Sequence, residues 1–113
     1  MHNDGHCILA EIPMKFVVLF EDNSGVGSDI RKSNMPQHLQ FLSDHSEQID
    51  AAGPLSNTDG SGAGGIWIVE AVSESDVTDL VEKDPFWPTG LRKSVKVMNW
   101  AQVFANGKAL ISP

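Results

Sequence analysis

Ile66-Trp67-Ile68-Val69-Glu70-Ala71-Val72 decides how the chain folds. Its β-branched and aromatic residues make the strongest strand signal in the sequence. Side chains alternate across a strand, so Ile66, Ile68 and Val72 face one way and Trp67, Val69 and Ala71 the other. Both sets are apolar. Lys15 to Glu21 (KFVVLFE) repeats the pattern, with Phe16, Val18 and Phe20 opposed to Val17 and Leu19. Strands that are apolar on both faces need a cover on each side.

Upstream of Ile66, the Gly/Ser/Asn/Asp-rich run Ser56 to Gly65 reads as a hairpin connection. Ala51-Ala52-Gly53-Pro54-Leu55 precedes it as a short strand, and Pro54 suits an edge position. Asp29 to about Asp50 reads as helical: a short turn or helix to Asn34, then a main helix that Pro36 begins. Its apolar face runs through Leu39, Leu42, His45, Ser46 and Ile49, with Met35 and His38 beside it. Asp22 to Ser28 is a loop.

Downstream, Ser73 caps a second helix that ends near Lys83, with Val77, Leu80 and Val81 as its stripe. Asp84-Pro85-Phe86-Trp87-Pro88-Thr89-Gly90-Leu91 then leads into a strand from Arg92 to Trp100. Ala101 to Pro113 is a tail with a turn at Asn106-Gly107, whose Val103, Phe104, Leu110 and Ile111 pack on something. The order strand, helix, strand, strand, helix, strand is the split βαβ, or ferredoxin-like, arrangement. This is an α+β class with a four-stranded antiparallel sheet and both helices on one face. The economical cover for the other face is a second copy, sheet to sheet, giving a homodimer. The tail is the alternative cover.

The 113 residues suit one compact domain over residues 14–113, preceded by an extension over residues 1–13. Net charge is −7 with only eight Lys and Arg, so a surface for nucleic acid is not expected. The single cysteine, Cys7, excludes an internal disulfide and fits a reducing cytoplasm. No stretch approaches the roughly 20 apolar residues of a membrane span. His2, His6 and Cys7 match no zinc spacing, so no metal is expected. No cofactor is expected either.

Asp84 breaks a local rule. A carboxylate at a helix C-terminus meets the negative end of the dipole, at a cost of roughly 0.3–1 kcal/mol when exposed. Either it is a solvated turn residue or it belongs to a site.

Taken together, Met35-Pro36-Gln37-His38-Leu39-Gln40-Phe41-Leu42, Ala52-Gly53-Pro54-Leu55, Gly65, Asp84-Pro85-Phe86, Gly90-Leu91 and Val95 to Trp100 resemble the YciI-like family. The resemblance covers roughly Lys15 to Phe104. It implies a dimeric α+β barrel and a His–Asp site, which falls on His38 and Asp84. It also implies two arginines before the histidine. Arg31 matches the more distant one, while Met35 stands where the nearer is common. One similar enzyme removes chloride from a chlorinated hydroxyhydroquinone.

If His38 and Asp84 meet, the carboxylate orients the imidazole, and the histidine takes and returns a proton near neutral pH. Otherwise His38 is a helix histidine with one structural hydrogen bond. Gly53 and Pro54, with Pro85, Phe86 and Trp87, are the expected walls of a small-molecule site, and the aromatics suit a flat ring. They serve equally as loop anchors. Arg92 either receives an anionic oxygen or forms a strand-edge salt bridge. Trp67 and Trp100 read as core or interface, and His45 as a boundary residue. Ser24, Ser28 and Ser33 have no base partner, and the glycines of Gly60 to Gly65 open no helix. The expected function is acid–base proton transfer, isomerisation or elimination, on a small ring or enolisable substrate. The alternative is a binding or accessory module using the same cleft.

Overall fold

The computed structural model describes residues 12–25 and 27–111. The strands β1 (Met14–Asp22), β2 (Ile49–Ser56), β3 (Gly62–Ala71) and β4 (Arg92–Asn99) form one antiparallel sheet in the order β2-β3-β1-β4. The helices α1 (Gly27–Asp44) and α2 (Glu74–Lys83) complete a ferredoxin-like fold. The two most apolar strands, β1 and β3, are the central pair. Pro54 lies on the edge strand, where its missing N–H costs little.

The face of Phe16, Val18, Phe20, Trp67, Val69 and Ala71 is buried under the helices, against Phe41, Val77, Leu80 and Val81. On the opposite face Val17, Leu19, Ile66, Ile68 and Met98 are half-buried. The alternation read from the sequence therefore holds along both central strands. Ser73 caps α2 by accepting a hydrogen bond from the Asp76 N–H at 3.2 Å. Beyond the sheet, β5 (Phe104–Ala105) and β6 (Lys108–Ala109) make a small hairpin. Its turn puts Asn106 at φ 53° and Gly107 at φ 76°, the two positive values that such a tight connection demands.

Three expectations about the first helix need correction. α1 is one continuous helix, with Pro36 inside it rather than at its start. Pro36 and Lys32 both lie on the solvent side, so water can satisfy the Lys32 carbonyl that loses its partner. The helix ends at Asp44, not near Asp50. A turn closed by the Ile49 N–H on the His45 carbonyl (2.9 Å) follows, and Ile49 enters the core as the first residue of β2. Finally, the inward face is rotated by one residue: His38 and Phe41 are buried, whereas Leu39 is 57% exposed. The expectation about residues 1–13, including His2, His6 and Cys7, falls largely outside the described residues.

Candidate functional site

Asp84 is turned inward by the loop that follows α2. It takes an extended conformation (φ −63°, ψ 133°), as the residue before a proline prefers. The Trp87 N–H then donates to the Asp84 carbonyl at 2.8 Å, and a 3-10 turn runs from Trp87 to Thr89. Gly90, at φ 83°, supplies the left-handed step that ends this turn. Phe86 and Leu91 are fully buried and anchor the loop at both ends. Asn23 fastens it further, its side chain donating to the carbonyls of Gly90 (2.8 Å) and Arg92 (3.2 Å). Asp84 is left 2% exposed, so it is not a solvated turn residue.

His38 faces it from α1. The imidazole Nδ1 lies 2.7 Å from Asp84 Oδ1, which also accepts from the Phe86 N–H at 3.3 Å. An ionised carboxylate only accepts, so in a neutral imidazole Nδ1 would carry the hydrogen and Nε2 the lone pair. The Phe86 ring packs on the imidazole at 4.4 Å between centroids.

Two arginines extend this pair. Arg92 Nη2 lies 3.7 Å from Asp84 Oδ2, and its Nη1 donates to Asp22 Oδ1 at 3.4 Å. Asp22 Oδ2 in turn accepts from Arg31 Nη2 at 2.6 Å. Arg31, Asp22, Arg92, Asp84 and His38 thus alternate in charge, from α1 through β1, β4 and the α2–β4 loop back to α1. The Arg92 guanidinium lies over Phe20 at 4.0 Å. Burial lowers its pKa, while the Asp84 and Asp22 carboxylates oppose that shift. A bare backbone makes room for it: a Cβ at Gly65 would lie 3.4 Å from Arg92 Nη1 and 3.3 Å from the Gly53 carbonyl.

His38, Arg31 and Arg92 border a cavity of about 90 Å³ between α1 and the β2–β3 edge of the sheet. Gly53 and Pro54 form its strand wall, and Met35, Leu39, Leu42 and one side of Trp67 supply apolar surface. An apolar cavity of roughly 150 Å³ holds a benzene ring, so a ring entering here would leave one edge in the mouth. Pro85 and Trp87 do not line this cavity. Phe86 sits behind His38 as a support, and Trp87, 40% exposed, borders a separate hollow with Val95 and Val97. Trp100 is also 40% exposed. Among the described residues, no three His, Cys, Asp or Glu side chains converge as metal ligands. No described helix is long and apolar enough to cross a membrane.

Asp22 was missed from the sequence. The strand alternation puts it on the helix-covered face with Phe16, Val18 and Phe20, but its partner is concealed. The register shift between Glu21 and Asp22 skips Lys93 and re-aims Arg92, which would otherwise point to the open face, to lie opposite it.

The model of the YCII-related domain matches residues 14–101. Among solved structures, a 5-chloro-2-hydroxyhydroquinone dehydrochlorinase from Burkholderia phenoliruptrix, in complex with 2,5-dihydroxybenzoquinone, is 30% identical. The match covers 78% of this chain and 94% of that one, with a TM-score of 0.66. A hypothetical Arabidopsis thaliana protein is 17% identical over 85% of this chain and 95% of its own, with a TM-score of 0.50. That second likeness shows the fold alone. No curated protein sequence matches the chain.

Proposed function

We propose a function from one premise: this chain belongs to the YCII-related domain family. Our reading is a small cofactor-independent enzyme that moves a proton on a small ring or enolisable substrate. The observation that carries it is the 2.7 Å contact between His38 and Asp84, nine-tenths buried beside a cavity.

His38 Nδ1 is committed to Asp84, so Nε2 is the nitrogen left for a ligand. As general base it takes a proton from a ring hydroxyl or an acidic C–H. The electron pair left behind forms an oxyanion, which a guanidinium at the cavity stabilises. In an elimination, the leaving group departs with its bonding pair, and the net change is loss of HX. In an isomerisation, the imidazolium returns the proton to another carbon. Such acid–base participation contributes typically 10²–10⁴-fold in rate. The dehydrochlorinase of Burkholderia phenoliruptrix makes chlorinated hydroxyhydroquinones the first substrates to try, with enol-lactones second. Turnover should fall by about 10²–10⁴-fold in His38→Ala. Undiminished activity in that variant would falsify the role given to His38.

Met35 favours a second reading. It contributes apolar surface to the cavity where relatives often carry an arginine, which suits binding of a less charged metabolite without chemistry. Tight binding with no turnover on any candidate would select it.

We also propose that a second copy covers the open sheet face of Val17, Leu19, Ile66 and Ile68. Sedimentation at twice the chain mass is the expected result.

A further inference from the structure

The two arginines of the site are not equivalent. Arg92 is the inner one, its side chain 6% exposed. One Nη faces Asp84 and the other donates to Asp22. Its flat faces meet Phe20 at 4.0 Å and Phe86 at 5.4 Å. Its Nε is buried without a hydrogen-bond partner among the described residues. So little of this guanidinium is left for a ligand. Arg31 is the outer one, its side chain 21% exposed. It commits one Nη to Asp22 and to the Gly64 carbonyl (3.4 Å), and borders the cavity mouth with the rest.

We infer that Arg92 is a positioning residue, acting through Asp84 to keep His38 a neutral base, and that Arg31 is the arginine that meets a ligand's anionic oxygen. This rests on the acid–base reading above and divides labour within it. The charged groups around His38 are Asp84 from the α2–β4 loop, Arg92 from β4, Asp22 from β1 and Arg31 from its own helix. From β2 and β3 the cavity wall carries Ala52, Gly53, Pro54, Gly65, Ile66 and Trp67, none of them titratable, and the His45 ring packs on Phe41 at 4.6 Å between centroids. Arg92 shares the Asp84 carboxylate with His38. A cation there weakens the pull of Asp84 on an imidazolium, so the imidazole gives up its proton more readily.

The same charge count bears on the ligand. Two arginines and two aspartates cancel while His38 is neutral. Proton transfer from a neutral substrate to His38 leaves the site and its ligand balanced, because the imidazolium faces a single new oxyanion. A ring hydroxyl or enol fits this balance.

Titration of the His38 imidazole by NMR tests the division directly, with His38→Asn to assign it among the four histidines. Arg92→Met should raise its proton affinity about tenfold, one pKa unit. Arg92→Gln, the second variant should methionine disturb folding, should shift it the same way. Arg92→Lys, which keeps the charge, should stay close to wild type. Arg31→Met should move the titration less, yet weaken binding of 2,5-dihydroxybenzoquinone about tenfold. An unmoved titration in Arg92→Met and Arg92→Gln overturns the inference, as does a shift in Arg92→Lys as large as that of Arg92→Met. Equal loss of quinone binding in Arg92→Met and Arg31→Met, or no binding by wild type, overturns the assignment of Arg31. The titration needs no substrate, so it can fail while turnover succeeds, and the reverse.

Discussion

The layer between helices and sheet has two ends, equally buried and made of opposite materials. Under α2, Val69, Ala71, Val77, Leu80 and Val81 are at most 4% exposed and wholly aliphatic. Under the middle of α1, His38 and Asp84 are 7% and 2% exposed and lean on a charged arginine. The aliphatic end gains from leaving water, at roughly 25 cal/mol per Å² of apolar area. It accepts any side chain of similar volume. The polar end loses hydration that only well-placed partners offset. Its stability therefore depends on identity, while that of the aliphatic end depends on volume.

Truncation tests this contrast most strongly. Asp84→Ala leaves a buried guanidinium short of a partner and should destabilise the protein by about 3–5 kcal/mol. Denaturant unfolding followed by tryptophan fluorescence would measure it. Leu80→Ala should cost about 2–5 kcal/mol by the same method, through the cavity it leaves. The contrast sharpens with shape-conserving exchanges. Leu80→Met should cost under about 1.5 kcal/mol and leave turnover intact. Asp84→Asn, equally conservative in shape, should abolish most of the activity. Equal tolerance at both positions would break the comparison.

Smaller effects probe the scaffold around the polar end. Gly90→Ala forces an L side chain into the left-handed region, in open space, at about 1–2 kcal/mol. Activity should fall only as the folded fraction does. Lys15→Ala removes a peripheral pair with Asp50 at 2.7 Å, worth about 0.2–1 kcal/mol. The Asp50 hydrogen bond raises the Lys15 pKa above its ordinary value of 10.5, against the opposing effect of burial. A raised folded pKa means the contribution is complete below pH 10.5 and fades as pH rises through the folded value. The variant and wild type should therefore converge in strongly alkaline unfolding experiments.

The aliphatic end was legible in the sequence and the polar end only partly. Alternation in β1 and β3, and the Val77-Leu80-Val81 stripe of α2, announce their buried faces through apolarity alone. α1 does not. Its inward position is taken by His38, so apolar periodicity points one residue away, to the exposed Leu39. Ile49 satisfied the helical spacing equally well, which drew the helix too far. His38 and Asp84 lie 46 residues apart, and no spacing rule joins them. Only the resemblance to the family paired them in advance. The pairing of Asp22 with Arg92 is hidden by the irregularity between Glu21 and Asp22, which skips Lys93 and brings Arg92 round to the helix-covered face that Asp22 shares with Phe20. A bulge of one residue has no sequence signature here, and the partner it creates, Arg92, is 70 positions away.

One spectrum bears most directly on the idea that a buried carboxylate presents His38 as a base. The imidazole nitrogen shifts of His38, recorded near neutral pH, report which ring nitrogen carries the hydrogen. The hydrogen is expected on Nδ1, with Nε2 bare toward the cavity. A neutral ring protonated at Nε2 would contradict this expectation.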